Sequence, residues 1–286
     1  MADKYKDFLG LGIAGNFALH LAQAGELEEF KDIITADEAA PKGIFPFYLP
    51  SYTPSSDKIT RTPKEILTTY PLSSNTIKLP KENVNIQTEP EVALLCDISY
   101  KDGQVQSVRP THFGAYNDCS IRVAAAEKIS DKKNWGENSK GIASTLIELD
   151  SFTQSSILND FSICSFLKRD DTITAYGEDV TLTGYSYFYE KLTTWIKEQI
   201  NVQKDFGPLE PLSEYIKACN YPLKAIISIG ATRYTPYGEK TFLQVADEVF
   251  IVVYNHNTYS KEDILESLHT QKFPIKDISI LHQKVV

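Results

Sequence analysis

The chain has 286 residues, is 42% hydrophobic and 11% aromatic, and carries a formal charge of −9. This suits one large folded domain, or one with a small companion, and excludes a disordered chain. The acidic balance argues against a nucleic-acid partner, no apolar run reaches the length of a membrane span, and no signal peptide opens the chain.

In chain order, residues 1–80 read as a small irregular region with one short helix and many prolines, and 81–286 as the main domain. The stretch GLGIAGNFALH, Gly10 to His20, begins with G-x-G-x-x-G, the phosphate-cradling pattern of dinucleotide folds. That pattern needs a buried strand before it, and only MADKYKDFL precedes Gly10. DIIT could be a second strand, with Asp37 and Glu38 near the expected ribose-binding position, but the proline-punctuated EAAPKGIFPFYLP cannot be the next helix. The preferred reading is a glycine turn before a short helix, with Asn16 as N-cap and Phe17, Leu19 and Leu21 partly buried.

Strand signals then strengthen. VALLCDISY runs to a KDG turn and can pair with VQSVRP as a hairpin. SIRVAAAEKIS reads as helical, while STLIELDSF, SICSFLKRD and DTITAYG read as strands. YSYFYEKLTTWIKEQI is an amphipathic helix with Phe188, Leu192 and Trp195/Ile196 on one stripe. AIISIGA and DEVFIVVY are strands, and a helix capped by Ser260 and Asp263 precedes ISILHQKVV. Strands and helices do not alternate regularly, so the class is β-rich α+β, a second argument against a dinucleotide fold.

Cys96, Cys119, Cys164 and Cys219 form no C-x-x-C pair and have no histidine at zinc-ligand spacing. They read as buried free thiols in a reducing, cytoplasmic setting, with Cys119 a nucleophile only beside a basic group. More informative is TEPEVALL. Glu89 and Glu91 sit two apart at the mouth of a strand and share a face, with Pro90 suiting a strand start. Such a pair repels unless a positive group compensates it, and a hard divalent cation does so well; a solvated acidic strand end is the plainer alternative. AYNDCSIR adds Asp118 and Arg122, or is an ordinary helix start. KKNWGENSKG holds Trp135 and Lys140, either as a surface loop with a packing anchor or as a lysine over a site.

Taken in order, these pieces resemble the fumarylacetoacetate hydrolase (FAH) family. Asn16-Phe17-Ala18-Leu19-His20 is similar to its N-Y-x-x-H segment, and Glu89-Pro90-Glu91-Val92-Ala93 to its E-x-E-x-A strand. Asn117-Asp118-Cys119-Ser120-Ile121-Arg122 resembles N/D-D-x-S-x-R, and Trp135 to Lys140 resembles W-x-x-x-x-K. ACNYPLKAIISIGATRYTPYG and FLQVADEVFIVV resemble the closing turn and strand. The departures are Gln23 where a glutamate often follows the histidine, with Glu26 the nearest; Ala246 in place of a glycine; Thr235 competing with Thr232 in the turn; and an apparent addition over about 256–286.

The resemblance implies a divergent member with a mixed β-sandwich or roll and a few peripheral helices. It implies Mg²⁺ or Mn²⁺ on Glu89, Glu91 and Asp118, with His20 as general base, Lys140 stabilising charge, and Arg122 and Thr232 at the substrate. The expected reaction is C–C hydrolysis, decarboxylation, hydration or tautomerisation of a small 2-oxo acid or β-dicarbonyl compound, through a metal-stabilised enolate. A homodimer is also implied. Gln23 favours the alternative, a small-molecule-binding protein without turnover. Phe47, Tyr48, Tyr234 and Tyr237 are candidates for specificity or for packing.

Overall fold

The computed structural model describes residues 2–35, 37–54, 60–123 and 126–286. Among them the strands run β1 (Leu9–Ala14), β2 (Gly43–Tyr48), β3 (Leu72–Ser73), β4 (Thr76–Ile77), β5 (Asn85–Gln87), β6 (Pro90–Lys101), β7 (Gln104–Asn117) and β8 (Ser120–Arg122). They continue as β9 (Lys140–Ile142), β10 (Ile147–Glu148), β11 (Phe161–Arg169), β12 (Thr172–Thr181), β13 (Lys224–Ser228), β14 (Glu248–Asn255) and β15 (Ile278–Val285). The helices are α1 (His20–Gln23), α2 (Tyr189–Val202), α3 (Leu212–Ala218) and α4 (Lys261–Thr270).

An eight-stranded sheet has the order β2-β1-β13-β6-β7-β9-β3, with β10 also on β7. Its β1–β13 and β3–β9 pairs are parallel. A five-stranded sheet has the order β12-β11-β14-β15-β4, and β5 and β8 form a small ribbon. The two large sheets face each other across one apolar core, where Phe113 of β7 meets Phe161 of β11 edge-to-face at 4.9 Å. This is the expected β-rich α+β architecture.

The β6–β7 hairpin is built as its sequence suggests. Lys101 pairs with Gln104, and Asp102 and Gly103 between them both have positive φ (52° and 78°), the handedness a two-residue hairpin turn requires. The Ser260–Asp263 box caps α4 with reciprocal side-chain bonds. The α2 helix starts only at Tyr189, with Phe188 as its N-cap residue.

The first eighty residues depart most from expectation. They supply β1, inside the large sheet, as well as β2, β3 and β4, all but β2 pairing with strands beyond residue 81. Gly10 and Gly12 of GLGIAG lie in strand β1 and not in a turn, and only Gly15, at φ 77°, falls in the bend that follows. A Cβ on Gly10 would meet Phe47 at 2.4 Å and one on Gly12 would meet Phe45 at 2.2 Å, so the missing side chains make room for rings from β2. Asn16 caps no helix. Its amide donates to the carbonyls of Tyr187 and Ile229 and accepts from the Tyr187 N–H, while the N-cap of α1 is Leu19, exposed and left-handed at φ 70°. SIRVAAAEKIS is not a helix where it is described: Ser120–Arg122 is β8 and Ile129–Lys132 a single 3₁₀ turn, with residues 124 and 125 outside the described set. STLIELDSF contributes only the two residues of β10.

Candidate functional site

Register places the carboxylates. Pro90 and Glu91 of β6 face Asn117 and Tyr116 of β7. One step beyond the ladder the Asp118 N–H donates to the Glu89 carbonyl at 3.0 Å, so Asp118 lies across from Glu89. Asn117 fixes this end: its side-chain oxygen accepts from the Thr88 hydroxyl (2.6 Å) and the Glu89 N–H (3.2 Å). Ligand atoms of Glu89, Glu91 and Asp118 lie within 4.8 Å of one another, and all three residues are buried. The shared face of Glu89 and Glu91 is therefore inward, not a solvated strand end.

Cations converge on these acids from elsewhere in the chain. Arg122 of β8 donates to Glu26 (2.9 Å), Gln87 (2.6 Å) and the Tyr234 hydroxyl (2.9 Å), and forms an ion pair with Glu89 Oε1 at 2.8 Å without a hydrogen bond to it. Lys140, at the start of β9, pairs with Asp118 Oδ1 and lies 5.5 Å from the Phe47 ring centre. Lys133 follows the 3₁₀ turn and bridges Glu89 Oε2 and Asp118 Oδ2, at 2.6 Å from each. Its loop is pinned by Asn134, whose amide donates to the carbonyls of Phe47, Ile66 and Thr69. Lys132 pairs with Glu26 and Glu29. Glu91 Oε2 accepts from the Gly230 N–H at 3.0 Å.

His20 approaches from α1. Its Nδ1 lies 2.9 Å from the Thr232 carbonyl, which can only accept, so Nδ1 carries the proton and Nε2 keeps its lone pair. Thr232 in turn donates to the Pro90 carbonyl from its N–H (3.1 Å) and its hydroxyl (3.3 Å). The Thr235 hydroxyl instead binds the carbonyls of Ala175 and Tyr176, away from the histidine. Gln23 makes two bonds to the Tyr234 backbone, fastening α1 to the 231–235 turn, while the nearby carboxylate is Glu26. The Tyr234 ring sits 5.1 Å from the imidazole. Tyr48 instead donates to the Lys6 carbonyl, and Tyr237 packs on Tyr176.

Burial and charge set the protonation states. Burial lowers the His20 pKa; Glu89 and Glu26 pull it up, while Arg122 and Lys133 push it down. Burial alone would raise Glu89, but Lys133 and Arg122 outweigh it and hold that carboxyl well below its usual range. Glu91 moves the other way, raised by burial and by the neighbouring Asp118 carboxylate. Burial also lowers Lys140, against the pull of Asp118. For Lys133 burial is outweighed by Asp118 and Glu89, and its pKa rises. Cys119 is pushed up to about 12 by burial and its thiol donates to Asn117, so it is no nucleophile.

His20, Glu89, Glu91, Asp118, Arg122, Lys140 and Thr232 are thus brought into one buried ionic cluster. Lys133, Glu26 and Gln87 belong to it without having been singled out for it. The doubled lysine at 132–133 is the only signal for Lys133, and it also reads as a surface loop. On the outer side of Arg122, a cavity of about 250 Å³ is lined by Gly25, Glu26, Glu29, Ile121 and Lys132 among others. The carboxylates form a group that could hold a metal ion. In this structure the space between Glu89 and Asp118 is filled by the Lys133 ammonium, so a metal fits only if that group leaves.

Solved structures share the fold. Cg1458 with an inhibitor aligns with a TM-score of 0.54 at 16% identity, over 97% of this chain and 76% of that one. A 2-keto-3-deoxy-D-arabinonate dehydratase complexed with magnesium and 2,5-dioxopentanoate aligns at 0.51 and 14%, over 97% and 72%. The 5-carboxymethyl-2-hydroxymuconate delta-isomerase of Mycobacterium smegmatis aligns at 0.50 and 13%, over 97% and 78%. No curated protein sequence matches. No helix among the described residues is long and apolar enough to cross a membrane. These solved structures share the fold that the resemblance to the fumarylacetoacetate hydrolase family implies. The family of unknown function DUF5718 matches over residues 26–285, and the chain belongs to it.

Proposed function

We propose that the chain is an enzyme that acts on a small 2-oxo acid or β-dicarbonyl compound through an enolate, within the reaction types common to its fold relatives. The observation that carries this reading is the convergence of a neutral, buried histidine with fixed cations. His20 offers Nε2 as the base, because Thr232 holds the proton on Nδ1. It takes a proton from the carbon next to the carbonyl, or from an attacking water. The negative charge that develops on oxygen is met by Lys140 and Arg122, both already oriented by carboxylates. Two of the structural relatives are named as a dehydratase and an isomerase, which is consistent with enolate chemistry. No step is assigned to a metal, because Lys133 stands where one would bind.

The test is a panel of oxaloacetate, acylpyruvates and simple 2-oxo acids, followed by proton NMR in deuterated water. Turnover, or exchange of the acidic C–H, should appear with the wild type and fall by about 10²-fold or more in His20→Gln. A second reading, a binding protein without turnover, is favoured by Gln23, which stands bonded to the Tyr234 backbone where a carboxylate would orient the base. Saturable binding with neither turnover nor exchange would select it. If no compound bound or reacted, both readings would be abandoned.

A further inference from the structure

The Glu89 and Asp118 carboxylates have no oxygen left without a cation. Lys133 and Arg122 take the two oxygens of Glu89, and Lys133 and Lys140 take those of Asp118. Lys140 is the lysine that matches the FAH motif, so Lys133 is an additional one. It does not reach in from the surface by chance. Its side chain is 4% exposed, it passes 5.3 Å from the centre of the Phe45 ring, and its backbone N–H is tied to the Ser130 carbonyl. Asn134 beside it is clamped to three carbonyls of the 47–69 segment. The preceding turn is held by Lys128, which donates to the carbonyls of Gly207 and Leu209.

A divalent ion would sit about 2.1 Å from these same oxygens. That places it against an ammonium 2.6 Å from Glu89 and 2.6 Å from Asp118. The two charges exclude each other, and a withdrawn Lys133 would lose both buried partners.

We propose that Lys133 is the resident cation of this site, its ammonium standing between the carboxylates on which the family resemblance places a divalent metal. This rests on reading the cluster as the fold's reaction centre. It makes the substrate class an anion met by fixed ammonium and guanidinium groups, rather than a dicarbonyl chelated through two oxygens.

The test reads metal directly and needs no turnover, so it stands or falls apart from the activity screen. Mn²⁺ is titrated into metal-free protein and the free-ion EPR signal is followed, for the wild type, Lys133→Met and Lys133→Met/Glu91→Gln. The wild type should take up no stoichiometric Mn²⁺, with or without oxalate. Lys133→Met should bind one ion per chain, roughly tenfold or more tighter, and lose it in the double variant. Stoichiometric Mn²⁺ on the wild type overturns the proposal, and so does a folded Lys133→Met that gains nothing. Should Lys133→Met fail to fold, the wild-type titration with oxalate decides alone: silence supports the proposal and one bound ion sinks it.

Discussion

Glu210, just before α3, is buried with Oε2 unpartnered, and burial pushes its carboxyl up to about 7. Its folded pKa lies above the unfolded value, so its contribution is intact below about pH 4.5 and is lost as the pH rises through about 7. Glu210→Gln keeps the shape and removes the titration. Urea unfolding at pH 8 should find the variant more stable by about 3 kcal/mol, with the two curves meeting near pH 5. Identical pH dependence in both proteins would refute the assignment. Residues of this kind carry no sequence signal, because a glutamate reads as surface until its surroundings are known. That His20, Glu89, Glu91, Asp118, Arg122, Lys140 and Thr232 would meet was legible because each lies in a motif with order and spacing, although spacing alone left Thr235 competing with Thr232. Lys133 was not, since what distinguishes it is the loop that aims it inward.

At the scale of elements, legibility followed length and local chemistry. The β6–β7 hairpin, β11, β12, β14 and α4 announce themselves through β-branched runs, a turn or a capping box. β1 does not, because two glycines interrupt its apolar pattern and the rings that replace their side chains come from residues 45 and 47. Gly12→Ala tests this account: a methyl group driven at the Phe45 ring should cost about 1–3 kcal/mol in denaturant unfolding. A neutral result would mean that β2 shifts freely. The alanines of SIRVAAAEKIS suggest helix, yet Arg122 is held in an extended strand by Gln87, Glu26 and Glu89, a tertiary demand that outweighs weak local preference.

Across the whole molecule, the far end of the chain supports the cluster. Gln283 of β15 is fully buried, accepts from the Asn117 amide at 3.1 Å, and donates to the carbonyls of Thr76 (3.0 Å) and Ser73 (3.3 Å). Asn117 in turn holds the Glu89 backbone. Gln283→Ala should therefore destabilise the fold by about 2–4 kcal/mol. It should also increase hydrogen exchange at the Glu89 amide, which is linked to Gln283 through the Asn117 side chain. Unchanged exchange there would break the link between β15 and the cluster. Residues 256–286, which read as an addition, supply this strand and Leu281 and Val285 to the main core.

That placement shapes the protein's life on the ribosome. Translation delivers residues 278–285 after the other strands described, long after the acids at 89, 91 and 118. Until then β14, reading EVFIVVYN, has one bare hydrogen-bonding edge, and the acids lack the wall that Gln283 braces. A nascent chain halted before Ile278 thus carries a long apolar strand edge, the feature most prone to pair with another chain. Arrival of β15 covers that edge and brings Gln283 to Asn117, so copies that stop short of it should be the ones prone to aggregation or chaperone capture.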